Sequence, residues 1–144
     1  MDWTAISELS MKFETGEQEY TFTGPRHSIG LIISLQPARD DGESAVVPVD
    51  TLIKNSTLID YIDRSPLPES SQDYKWSYTK KDVRSYGTDG GTPQFKFRLY
   101  PPIDGRTPTA KTLGIRVRTE SGKDIFSSQD GAFFKWVRGT IRWD

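Results

Sequence analysis

The stretch 95-FKFRLYPP-102 decides the fold class. Phe95, Phe97 and Leu99 fall on one side of an extended chain, and Lys96, Arg98 and Tyr100 on the other. That two-residue period is the signature of a half-buried β-strand, and Pro101-Pro102 ends it. The segment 113-LGIRVRT-119 repeats the scheme, with Leu113, Ile115 and Val117 opposite Gly114, Arg116 and Arg118.

Working outward, more strands follow. Ile29, Leu31, Ile33 and Leu35 share one face of 28-SIGLIISLQP-37, with Pro37 as the expected stop. Leu9, Met11 and Phe13, then Tyr20 and Phe22, predict a hairpin over 9–24 around Thr15-Gly16-Glu17-Gln18. Ala45-Val46-Val47 reads as a short strand, and Tyr74, Trp76 and Tyr78 alternate in another. Residues 113–119 and 124–128 form a hairpin around Glu120-Ser121-Gly122-Lys123, and 133–143 reads as one strand bent at Gly139. One short helix is expected around residues 50–62, with Asp50 as cap, Leu52, Ile59 and Ile62 on one face, and Ser56 as a second cap. Residues 63–72 and 80–94 read as polar loops. The expectation is a single mainly-β domain over 1–144: an antiparallel β-sandwich or barrel, a jelly roll being one such form.

Bulk properties bound the chemistry. The chain has 144 residues, no cysteine and one histidine. Disulfides, thiolate metal centres and multi-histidine sites are thereby excluded. The N-terminus is acidic and mixed rather than signal-like, and no apolar run reaches membrane-span length, so an intracellular place is expected, cytoplasmic or within a virion. No cofactor is expected. His27 lies in a turn, Asp40, Asp41 and Glu43 do not follow the spacing of a calcium loop, and Thr88–Thr92 lacks the ending of a phosphate loop. Asp63 with Asp73 and Lys75 is the weak trace of a carboxylate-centred nuclease or hydrolase, kept as an alternative.

Charge is the informative feature. Residues 1–72 hold twelve acids and five bases, a balance of −7; residues 73–144 hold eight acids and fourteen bases, a balance of +6. Lys75, Lys96, Arg98, Arg116 and Arg118 occupy strand positions opposite apolar ones, Arg138 and Arg142 recur in the last strand, and Lys80, Lys81 and Arg84 open the long polar loop. If the strands share a sheet, its outer face is cationic. Such a face suits an acidic protein surface, another copy of the chain, or nucleic acid. Solvated strand faces carrying Lys and Arg are also ordinary.

In compactness, lack of cysteine and strand pattern, the chain resembles the small β-rich matrix and coat proteins of viruses. The resemblance implies a non-enzymatic structural, assembly or adaptor protein, self-associating through acidic N-terminal and basic C-terminal surfaces. A nucleic-acid-binding β protein using the basic sheet face is the second reading.

Overall fold

The computed structural model describes residues 3–16, 19–22, 28–71, 74–80, 85–89, 92–102, 109–126 and 139–143, with backbone alone for 19–22, 85–89, 109–111 and 139–143. Among the described residues, ten strands and one helix follow in chain order: β1 (Ala5–Phe13), β2 (Glu19–Phe22), β3 (Ile29–Ala38), α1 (Val49–Lys54), β4 (Ser56–Asp60), β5 (Ser77–Thr79), β6 (Ser85–Asp89), β7 (Thr92–Tyr100), β8 (Thr109–Arg118), β9 (Asp124–Phe126) and β10 (Gly139–Trp143).

They form two open five-stranded sheets. Sheet A runs β1-β3-β7-β5, with β6 also on β7; sheet B runs β2-β10-β8-β4, with β9 also on β8. Every pairing is antiparallel except β2 with β10. The mainly-β, sandwich-like expectation holds, in its open form rather than as a closed barrel. Alternation does the packing. Phe95, Phe97 and Leu99 of sheet A and Leu113, Ile115 and Val117 of sheet B are all fully buried and join one core with Phe13, Leu31, Ile33, Leu35 and Leu58.

Several local readings are corrected. β1 and β2 are not a hairpin. Gly16, at φ +89°, donates to the Phe13 carbonyl and turns the chain out of sheet A, and β2 joins sheet B. A period of two identifies a strand but not its partner. Pro37 does not stop β3, which continues to Ala38. The pairing of β3 with β7 ends at Ser34, so no N–H is needed from Pro37 on that side, and the register with β1 shifts between Ile6 and Glu8.

The helix is six residues long, has Pro48 rather than Asp50 at its N-cap, and ends at Lys54. The Ser56 hydroxyl closes its C-terminal end by donating to the Leu52 carbonyl at 2.7 Å. Residues 56–60 are the strand β4 instead, and Ile62 is 82% exposed. Short helices are marginal alone, and pairing with β8 satisfies the same backbone groups while burying Leu58 and Ile59. Ala45–Val47 alternates in burial but makes no strand of its own. The loop expected over 80–94 contains β6 and the start of β7, an antiparallel pair whose strands are separated in sequence by Gly90-Gly91. The β8–β9 hairpin is as expected. Of 133–143, residues 133–138 lie outside the described residues.

The Pro-rich stretch after β4 straps the two sheets together. Leu67 donates to Leu58 of sheet B, Ser70 donates to Tyr78 of sheet A, and Tyr78 donates to Pro68. Leu67 enters the core.

Candidate functional site

The cationic strands do not share a sheet. β7 belongs to sheet A and β8 to sheet B. Their inward residues meet in one core, so Lys96 and Arg98 point away from the sandwich on one side and Arg116 and Arg118 on the other. The condition for one basic face is therefore not met by these four residues.

On sheet A, register places Lys12 and Lys96 on either side of Ile32, and Glu14 and Arg98 on either side of Gly30. Ile32 is only 7% exposed although it faces outward, as expected where aliphatic lysine stems cover an apolar residue. The Glu14 carboxylate accepts the Gly30 N–H at 2.9 Å and lies 3.8 Å from the Lys96 ammonium. A Cβ on Gly30 would sit 2.8 Å from both Glu14 Oε2 and Lys96 Cδ, so glycine makes room for this crossing. Arg98 donates to the Ser28 hydroxyl at 3.0 Å. Among the described residues the cluster therefore sets three cations, Lys12, Lys96 and Arg98, against one carboxylate, Glu14. Lys12 escaped the sequence reading, although its place opposite Leu9, Met11 and Phe13 marks it as outward.

The far end of β3 has the opposite sign. The loop after Ala38 exposes Asp40, Asp41 and Glu43 together with Arg39, three carboxylates against one guanidinium. Asp40 accepts the Thr4 hydroxyl and Asp41 the Glu43 N–H, and among the described residues none of the three carboxylates pairs with a cation. The turn after β8 shares this pole, since Glu120 and Trp3 exchange two hydrogen bonds beside the Thr4–Ala38 contact. From Gly30 to Ala38 is about 26 Å of strand.

On sheet B the arginines are served locally. Arg118 grips Asp124 with two hydrogen bonds, at 2.8 and 3.2 Å. That contact holds the Asp124 carboxyl below the usual aspartate value against the opposing effect of desolvation, with further lowering from the charges of Arg118 and Arg116. Arg116 donates to the Thr57 hydroxyl at 3.0 Å, and its Nε is buried with no hydrogen-bond partner among the described residues. The Arg64 guanidinium lies 5.0 Å from the Phe126 ring centre.

Lys80, expected to open a contact loop, is a structural node. Its ammonium donates to the Ile53 carbonyl at the end of α1 (3.0 Å), pairs with Glu69 of the strap (3.3 Å) and lies 5.5 Å from the Phe97 ring centre. Glu69 also accepts from the Tyr78 hydroxyl at 3.3 Å. Burial first, and then the Glu69 charge, push the Tyr78 phenol above its ordinary value. A cavity of about 480 Å³ opens beside the node, lined by Glu69, Ser70, Ser71, Thr79 and Lys80.

Of the remaining expected residues, Lys75 is exposed. Lys81, Arg84 and Arg138 lie outside the described residues, as do His27 and Asp73, and the Arg142 side chain is likewise not described. Asp63 is engaged within its own turn, accepting from the Ser65 N–H and hydroxyl. Among the described residues no three His, Cys, Asp or Glu side chains gather as a metal site, and no helix is long and apolar enough to cross a membrane. No protein-family model matches the chain, and no curated protein matches it significantly.

Proposed function

We propose that the chain is a structural assembly protein that associates end to end, the acidic loop of one copy against the cationic end of sheet A in the next. The carrying observation is the polarity of β3 among the described residues: Lys12, Lys96 and Arg98 outweigh Glu14 near its start, and Asp40, Asp41 and Glu43 outweigh Arg39 beyond its end. Opposed charge on two different surfaces of one molecule favours a heterologous contact, which closes into a ring or continues as a filament. Such surfaces steer encounter and fix orientation more than they add affinity. A nucleic-acid groove draws less support, because Arg98 and Arg116 stand on opposite faces.

Complementary charge reversal tests the proposal. Arg98→Glu with Lys12→Glu removes the cationic end, and Asp40→Lys with Asp41→Lys removes the acidic one. Each variant alone is expected to be monomeric in light scattering. Mixing them leaves one chain with its acidic loop intact and the other with its cationic end intact, and heterodimers are expected at low salt. Self-association by either variant alone, equal to that of the unaltered chain, contradicts the proposal.

A further inference from the structure

We infer that two copies of this chain exchange halves through the turn Tyr61–Arg64, each β4 pairing with residues 65–67 of the other copy. The inference deepens the self-association reading by naming a second route to it.

The turn is held closed but strained. Asp60 Oδ1 accepts the N–H groups of Ile62 and Asp63, and Arg64 donates its N–H to the Asp60 carbonyl. Arg64 adopts φ +64°, and it is the sole non-glycine residue at positive φ among those described. L-residues with a Cβ adopt that conformation at a cost, and opening the turn removes it. Short hinges under strain are where exchange of identical elements begins.

What lies on either side of the hinge makes the exchange productive. The pairings β3 with β7, β4 with β8 and β2 with β10 all join a strand before the turn to a strand after it. So do the Lys96–Glu14 ion pair and the Lys80 hydrogen bond to Ile53. Each half therefore has half of a core to offer, and every one of these contacts is rebuilt when the complementary half comes from a neighbour. Residues 1–60 hold ten acids and four bases, −6, and residues 65–144 hold nine acids and fourteen bases, +5. Halves of separate chains thus attract each other, while like halves repel.

The absence of native cysteine permits a direct test. Ile59 faces Pro66 across the hairpin. The flanking hydrogen bonds, Asp60 to Ser65 and Leu67 to Leu58, make 59–66 the pair whose side chains come closest. Chains carrying Ile59→Cys and chains carrying Pro66→Cys are refolded together at high concentration and oxidised. Exchange gives a covalent heterodimer in intact-mass spectrometry, in excess over either homodimer. Folded variants that yield no such excess overturn the exchange; salt-sensitive association of the same mixture then leaves end-to-end docking standing. Where a cysteine variant fails to fold, the otherwise unaltered Arg64→Gly chain decides. Glycine accepts the turn without strain, so the dimer fraction after refolding should fall about tenfold. An unchanged or larger dimer fraction, or no dimer in the parent chain, overturns the inference.

Discussion

Lys80 directly follows Thr79, the residue that pairs with Arg98, yet the two charges meet different ends. Lys80 is drawn in by a helix carbonyl, a strap carboxylate and an aromatic ring. Among the described residues Arg98 keeps only a serine hydroxyl. The first region uses charge to fasten α1 and the strap to sheet A; the second leaves positive charge on the surface, about 26 Å of strand away from an acidic loop that pairs with no cation among the described residues. A cation in or beside a strand is therefore an address. Whether it fastens the fold or meets a partner depends on which carboxylate the topology brings to it.

The comparison breaks most visibly at the floor of the Lys80 node. Phe97 is fully buried against Phe95 and Tyr78, at centroid distances of 5.3 and 5.5 Å. Phe97→Ala should cost about 3–5 kcal/mol in denaturant unfolding. Lys80→Met keeps the stem and removes the ammonium. Glu69 is 57% exposed, so the ion pair itself adds little, and the main loss is the donor to Ile53. A destabilisation of about 1–2 kcal/mol is expected, whereas Arg98→Met should stay within about 0.5 kcal/mol. Equal costs for the two would erase the distinction between them.

Gly30→Ala probes the crossing in the cationic cluster. The new methyl displaces the ends of Glu14 and Lys96, and a cost of about 1 kcal/mol is expected by thermal unfolding. The smallest effect belongs to Asp124. Because its folded value is lowered, its contribution to stability is present above the ordinary aspartate range and is lost as pH falls through the lowered value. In NMR titration its midpoint should rise in Arg118→Gln, and a midpoint that does not move would deny the pairing any effect.

Much of the fold was legible because burial follows alternation: β3, β7 and β8 present the faces that their sequences spell. What could not be read was long-range choice. Nothing local tells β1 to pair with β3 while β2 crosses to β10, or places β7 and β8 in different sheets. Residues 56–60 read as helix because Ile59 shares a helical face with Leu52 and Ile62 as readily as it alternates in a strand, and only the waiting edge of β8 decides. Of the candidate site, the outward positions of Lys96, Arg98, Arg116 and Arg118 were visible. Their partners, Glu14 at a separation of 82 residues for Lys96 among them, were not. The acidic and basic halves were visible too, but they interleave in both sheets, so the surface polarity runs along β3 rather than between chain halves.

That polarity is tested most directly by light scattering on size-separated protein across ionic strength, with the parent chain beside Asp40→Asn/Asp41→Asn/Glu43→Gln. For protein that has not been refolded at high concentration, the account predicts that the parent mass rises with concentration at low salt and returns to 16.3 kDa at high salt, while the triple variant remains at monomer mass with its stability within about 0.5 kcal/mol of the parent. A parent chain that stays monomeric at every salt and concentration, or a triple variant that associates as the parent does, contradicts it.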